Sequence, residues 1–338
     1  MIISIDHQLA EAPLGRRPRG LFIMDLDGTL LRSDRTISSI DLDALGELGK
    51  LGIIRTIATG RSLYSFKTIE IENLPIDFVI FSMGAGVQHH AGDKIVRKVS
   101  LERHEVKRAC NILKSQRLDF MIHQTIPDNH MFSYFRSNPG NTDFERRLQL
   151  YRQFAVPLNE ATNGFGPATQ LLAVVPAKDS RAVLEKVRSE LPDYSVIRTT
   201  SPLDGKATWI EIFPGAVSKS RTSAWLAEEL KIDKRDIVSV GNDYNDLDLL
   251  EWTANSYVVD NAPADLKNRF VGVAFAIQLI AQAGANTGGN GGDGRTRQLA
   301  QVDVHQLVSA RGRTVADGQF VLDGLGAVSG LDFDAVDL

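Results

Sequence analysis

The 338-residue chain contains a single cysteine, Cys110, so no internal disulfide can form. No run of about 18 apolar residues occurs, which argues against a membrane-spanning helix. Residues 1–20 have neither the uninterrupted apolar segment nor the cleavage pattern of a secretory leader. Together these absences give a reducing, aqueous setting, and cytoplasm is the expected location. Positive charge is also missing as a field: the formal net charge is −4, with Lys and Arg scattered. A nucleic-acid backbone therefore has no basic surface to bind, and neither a nucleic-acid nor a membrane partner is expected.

What is present is organised by short apolar runs that end in polar turns. Runs at 21–25, 53–58, 77–82 and 236–240 are nearly continuous in apolar residues, as strands covered on both faces should be. Helical patterns lie between them, including one with Ser39 as its capping residue and Leu42, Leu45 and Leu48 on one side. A further run, Ser256–Val259, leads to Pro263, which suits a helix's first turn. The spacing predicts a doubly wound α/β core with a parallel sheet. It is interrupted between Gly84 and Phe213 by shorter runs of mixed polarity: 94–100, 119–124, 131–136, 170–176, 194–200 and 208–213. These read as an antiparallel sheet with one exposed face, with helical patterns at 101–116, 142–153 and 180–191. The length suits two domains plus tails.

Charged motifs sit where the core strands end. Asp25-Leu26-Asp27-Gly28-Thr29 follows the first apolar run, and two carboxylates two residues apart in extended chain point the same way. Such a pair repels unless a cation or a shared proton offsets it. Thr59-Gly60-Arg61 closes the second run, where a hydroxyl and helix-opening N–H groups suit phosphate oxygens. Lys219 stands at the head of an amphipathic helix carrying Trp225, Leu226 and Leu230, and Gly241-Asn242-Asp243-Tyr244-Asn245-Asp246 follows the run 237–240. A lone helical Lys is ordinarily solvated, and an Asn/Asp cluster is ordinarily a turn. Four such motifs in order, each at a strand end or helix start, are a stronger signal than any one.

In these four motifs the chain resembles the haloacid dehalogenase-like phosphohydrolases, over about residues 20–280. The 84–213 insertion is similar to the large α/β cap of the Cof-like subgroup, which includes sugar-phosphate phosphatases. The resemblance implies a catalytic core of residues 21–83 and 214–280, a cap of 84–213 over the catalytic end as a lid, and an N-terminal extension of residues 1–20. It implies a Mg²⁺-dependent phosphatase for a small phosphorylated metabolite, with a sugar phosphate as leading candidate. By the same resemblance Asp25 is the nucleophile and a metal ligand, and Asp27 is the general acid and base and ligates through its carbonyl. Thr59, Gly60 and Arg61 bind the phosphoryl group, and Lys219 neutralises charge. For Arg61 a surface salt bridge is an equal reading.

Two departures stand out. The family's Gly-Asp-x-x-Asn-Asp is here Gly-Asn-Asp-Tyr-Asn-Asp, so Asn242 occupies the usual column of a metal-binding Asp. Either Asn242 or Asp243 is the direct ligand, with Asp246 as the orienting group. At the opening of the cap, Met83 replaces the usual Asn. His89, His90, His123 and His130 show no metal-site spacing and read as structural or solvated, with His123 in reach of a sugar hydroxyl as the sharper alternative. Trp209, Trp225 and Trp252 read as packing anchors.

Six glycines fall between Gly284 and Gly294, a density that favours a flexible linker. Residues 281–338 as a whole are expected to be a disordered tail, with a partner-binding segment or a translation artefact as alternatives. Two further functional readings stay open: a sugar phosphomutase, and a non-catalytic phosphometabolite-binding module in which Asn242 has weakened the metal site.

Overall fold

A computed structural model describes residues 17–69, 74–159, 166–176, 178 and 180–273. The N-terminal extension up to residue 16 and the Gly-rich tail lie outside them.

Along the chain the first elements are β1 (Gly20–Met24), α1 (Ser39–Lys50), β2 (Ile53–Ala58), α2 (Leu63–Lys67), β3 (Phe78–Phe81), β4 (Gly86–His89) and β5 (Lys94–Lys98). Next come α3 (Arg103–Ser115), β6 (Asp119–His123), β7 (Phe132–Phe135), α4 (Thr142–Leu150), β8 (Ala155–Pro157), β9 (Gln170–Val175), α5 (Ser180–Glu190), β10 (Tyr194–Thr200) and β11 (Thr208–Pro214). The chain then forms α6 (Lys219–Glu229), β12 (Ile237–Gly241), α7 (Leu247–Trp252), β13 (Asn255–Val259), α8 (Ala264–Arg269) and β14 (Val271–Val273).

Eight strands form one sheet in the order β14-β13-β12-β1-β2-β3-β4-β5. Pairing is parallel from β14 through β3. Successive β1 side chains point to opposite faces. Phe22 and Met24 pack with Leu45 and Leu48 of α1, whereas Leu21 and Ile23 pack with Leu226 of α6, Leu230 at its C-cap and Leu249 of α7. Both faces are thus covered, which is why the core strands read as unbroken apolar runs. Truncating a fully buried leucine such as Leu45 or Leu226 should cost about 2–5 kcal/mol. The cap expected at Ser39 is instead Ser38, whose hydroxyl accepts the Asp41 N–H at 3.1 Å, so Ser39 is the first residue of the helix.

The segment 94–100 departs from expectation. It does not join the antiparallel sheet of the insertion; β3, β4 and β5 form an antiparallel meander on the edge of the first sheet. The polarity of Lys94–Lys98 reflects an edge strand with exposed ends rather than a new domain. The chain reverses after β3 through Ser82 (φ 50°), Met83 (φ 54°) and Gly84 (φ 105°). Gly84 is required there, since a β-carbon would stand 2.6 Å from both the Ser218 carbonyl oxygen and the Thr222 hydroxyl.

The second sheet begins only at Asp119, in the order β10-β11-β9-β6-β7-β8. It is antiparallel apart from the short parallel pair β7–β8, an edge that the sequence pattern did not reveal. On one face α3 and α5 bury Val106, Leu113, Leu184 and Val187 against Phe120, Leu171 and Ile210. On the other, Phe144 and Leu148 of α4 cover Met121, Leu172, Val174 and Trp209.

This cap is docked on the first sheet. Ile126, from the β6–β7 loop, is buried in the same apolar cluster as Met83 and Leu63. Beside it the Asn129 amide donates to the Ser82 hydroxyl at 2.7 Å, both residues being buried. The Tyr64 and His130 rings stack with centroids 4.4 Å apart, and on the far side Arg198 lies 4.9 Å over the Tyr244 ring.

Candidate active site

In a parallel sheet, ligands gather outside the carboxyl ends of the strands near the point where strand order reverses. Here β1 lies between β12 and β2, and Asp25, Asn242 and Thr59 are the residues that directly follow β1, β12 and β2. The DxDGT turn is closed by its own backbone: the N–H groups of Leu30 and Leu31 reach the Leu26 carbonyl, and Gly28 N–H reaches the Leu31 carbonyl. None of these bonds uses the Asp27 carbonyl. Gly28 has φ +78°, and a β-carbon there would lie 2.4 Å from the Asn242 amide nitrogen. The sequence thus brings the first motif and the fourth into contact through a glycine.

Lys219 decides the electrostatics. Its ammonium donates to Asp25 Oδ1 at 2.6 Å and to Asp246 Oδ1 at 2.6 Å, with all three residues buried. The lysine opens α6, where the helix dipole disfavours a cation, and the two carboxylates offset both that and its desolvation. Burial opposes the charge on Lys219, yet Asp246 and Asp25 outweigh it and raise its proton affinity. For Asp25 burial dominates: desolvation, then Asp246, push its carboxyl up to about 7 against the pull of Lys219. The other Asp246 oxygen, Oδ2, accepts the N–H groups of Asn242 at 2.9 Å and Asp243 at 3.2 Å. Gly241 permits this approach, since a β-carbon would fall 2.6 Å from Asp246 Cβ.

Asp27 is not paired with Lys219. Arg61 Nε donates to its Oδ2 at 2.8 Å and Arg61 Nη2 to its Oδ1 at 2.6 Å, a two-pronged contact with Asp27 half-exposed and Arg61 largely covered. Both sequence readings of Arg61 therefore meet: it faces the cleft, and it does so in an ion pair. Thr59 is buried one strand over from Asp25, and its hydroxyl accepts the Arg61 N–H at 3.1 Å. Gly60 abuts Met83, whose Cε would lie 2.8 Å from a β-carbon at that position.

Among the described residues no group of three or more His, Cys, Asp or Glu side chains is arranged to hold a metal. Hard oxygens are nevertheless at hand for a cation: Asp25 Oδ2, outside the lysine contact, the Asp27 carbonyl, and the Asn242 side chain beside Gly28. Such donors suit Mg²⁺, which prefers few protein ligands and keeps several waters. Asp243 is turned away to its own backbone, where Oδ1 accepts the Tyr244 N–H at 2.7 Å. Burial raises its proton affinity.

Some positioning groups carried no sequence signal. The Asn261 amide donates to the Gly28 carbonyl at 2.7 Å from 233 positions away. Asp248 accepts the Ser220 N–H and hydroxyl at 3.1 and 2.7 Å, tying the first turn of α6 to α7. Asn129 and Arg198 reach the core from the cap. Only Pro263 beyond the fourth motif hinted that the 261 turn mattered.

Residues 22–273 match the haloacid dehalogenase-like hydrolase family. The chain belongs to that family. Its curated relatives include the 5-amino-6-(5-phospho-D-ribitylamino)uracil phosphatase YwtE of Bacillus subtilis, 25% identical over 264 residues, covering 73% of this chain and 89% of YwtE. The HMP-PP phosphatase of Yersinia pseudotuberculosis is 23% identical over 261 residues, covering 73% of this chain and 86% of that protein. Among solved structures, BT1666 of Bacteroides thetaiotaomicron has a TM-score of 0.61 at 19% identity, covering 77% of this chain and 91% of its own. The subclass IIB sugar phosphatase BT4131 has a TM-score of 0.59 at 20% identity, covering 80% and 99%. These likenesses give the fold: an α/β core with an inserted cap. The family member is an enzyme, a phosphatase. No helix of the described residues is long and apolar enough to cross a membrane.

Proposed function

We propose that this hydrolase is a Mg²⁺-dependent phosphatase of small phosphorylated metabolites, with sugar phosphates as the leading class, working through an aspartyl-phosphate on Asp25. The observation that carries this reading is the buried Lys219 bridge, which fixes one oxygen of Asp25 and leaves Oδ2 outside that contact. We assign the catalytic core to 21–83 and 214–280, as the motifs indicate, together with β4 and β5, which extend its sheet, and a cytoplasmic setting, in keeping with the lone buried Cys110.

Asp25 Oδ1, the oxygen that Lys219 holds, attacks phosphorus as the bond to the leaving oxygen breaks, and Asp27 passes a proton to that oxygen. Asp27 then takes a proton from water, whose oxygen attacks phosphorus as the Asp25 ester bond breaks, and inorganic phosphate leaves. An arriving phosphate dianion competes with Asp27 for Arg61, and loss of that pairing frees the Asp27 carboxyl to face the leaving oxygen. The Thr59 hydroxyl and the Gly60 and Arg61 backbone cradle phosphoryl oxygens. Asp25 Oδ2, the Asp27 carbonyl and the Asn242 amide oxygen would hold Mg²⁺, with Asp246 orienting the turn and Asp243 the alternative ligand. The ion supplies positive charge against the transferring group. Asn242 makes this cation site one charge less negative than an Asp would.

The test is phosphate release across sugar phosphates, nucleotides, cofactor phosphates and an aryl phosphate, with and without Mg²⁺. Turnover should need the ion and should fall by at least about 10⁴-fold in Asp25→Asn, since the covalent step is removed. Undiminished turnover in that variant would refute the mechanism.

A further inference from the structure

The turn that follows β3 is held more tightly than a chain reversal requires. Ser82 (φ 50°) and Met83 (φ 54°) both adopt the left-handed conformation, which L-residues other than Gly, Asn and Asp enter only at a cost. The family's usual Asn favours that backbone by itself. Met83 does not, so its conformation has to be imposed by the groups around it.

Three parts of the molecule meet there. On one side is the phosphoryl-binding loop: Ser82 N–H donates to the Arg61 carbonyl at 2.8 Å, and Met83 N–H donates to the Thr59 carbonyl at 3.1 Å. In a trans peptide a carbonyl and the next N–H point in opposite directions, so drawing the Thr59 carbonyl to the turn sends the Gly60 N–H away from it. The buried Met83 side chain lies against Gly60. On a second side is α6, where the Thr222 hydroxyl donates to the Gly84 carbonyl at 2.9 Å, three residues beyond Lys219.

The third side belongs to the cap. The Asn129 amide donates to the Ser82 hydroxyl at 2.7 Å, and Ile126 of the same β6–β7 loop shares the apolar cluster of Met83. Asn129 is fixed in its turn: its carbonyl oxygen lies 2.8 Å from His123 Nδ1, and since a carbonyl only accepts, that nitrogen carries the proton and donates. His123, Asn129, Ser82, Met83 and Thr59 are all buried, so water offers no ready substitute for a bond lost among them.

Resting on the reading of Thr59, Gly60 and Arg61 as the phosphoryl cradle, we infer that Asn129 is a positioning residue for the reaction. From the cap it locks the 82–84 turn through Ser82, and the turn sets both the cradle and the start of the helix that carries Lys219. Asn129 acts through Ser82 rather than on a reacting atom. Every substrate shares the phosphoryl group, so this contribution is the same whatever the leaving group. The cradle takes its full shape only with the β6–β7 loop seated on the turn.

The experiment uses the full chain with Mg²⁺ and reads two quantities: calorimetric affinity for inorganic phosphate, and kcat/KM for p-nitrophenyl phosphate and for sugar monophosphates. In Asn129→Ala both should fall about tenfold or more, because a small misplacement of a positioning group is costly in rate, and the loss should be of like size for every ester. Ser82→Ala removes one hydroxyl and should reproduce the loss. The double variant should be no worse than either single one, since all three lack the same bond. A lower unfolding midpoint with unchanged phosphate affinity and kcat/KM overturns the inference, because a purely structural role would give that result. A loss confined to the sugar esters overturns it too, as do additive losses in the double variant. A wild type that releases phosphate from no ester, while Asn129→Ala still weakens phosphate binding, sinks the phosphatase reading alone.

Discussion

Two buried polar clusters, one around Lys219 at the carboxyl ends of the core strands and one around His123 in the cap, are satisfied to different degrees among the described residues. At the carboxyl ends of the core strands Lys219 is answered by two carboxylates, and Asp246 further by two backbone N–H groups. At the core-facing edge of the cap sheet, by contrast, His123, Asn129 and Arg147 retain unanswered atoms. A saturated cluster is pre-organised and has little freedom to adapt, as charge stabilisation of a phosphoryl group demands.

The sharpest way to break this contrast is Lys219→Met. It leaves two buried carboxylates without their cation, and should abolish turnover and cost about 3–5 kcal/mol in urea unfolding. A neutral effect on stability would show the core cluster to be no more tightly coupled than the cap cluster. Arg61→Ala comes next. It frees the half-exposed Asp27 and removes a phosphate contact, and kcat/KM should drop about 10–100-fold in steady-state assays with little change in unfolding midpoint.

His123 gives a pH test of the cap. Its imidazole, depressed to about 3, refuses a proton that the unfolded chain accepts below about 6.5. Its contribution to stability is therefore complete above about 6.5 and is lost as pH falls from there toward 3. Comparing denaturant unfolding at pH 7 and pH 5, His123→Phe should flatten the acid loss by about 2 kcal/mol. An unchanged slope would mean that the ring titrates normally and that its surroundings are open to water. The smallest expected effect is that of Arg198→Ala. The cation–ring contact with Tyr244 is worth about 0.5–1 kcal/mol, so KM should rise only about two- to fivefold. A larger change would show that the cap, through Arg198, also holds the 242–246 turn.

Much of the core was legible because its signals are local. A strand buried on both faces is a continuous apolar run, and the positions 53–58 emerge as read; in the cap the half-exposed 194–200 does too, from its mixed polarity. The four motifs were legible for the same reason, each spanning a few residues at a strand end. Lys219 was weak in sequence because its partners are 194 and 27 positions away. The choice between Asn242 and Asp243 could not be made from spacing; the proposal of Asn242 is supported by Asp243 capping its own turn while Asn242 lies against Gly28. Residues 94–98 misled because mixed polarity marks any half-exposed strand, whether in a new sheet or on the edge of an old one.

Residue order alone determined the α/β core, the insertion within it and the placement of each acidic or hydroxyl motif at an element's end, because periodicity and turn chemistry act over a few residues. Tertiary structure alone decided that Arg61 grips Asp27, that Lys219 joins Asp25 to Asp246, and that Asn129 meets Ser82. Those pairings depend on sheet order and register, which bring residues together across distances in sequence that no local pattern encodes.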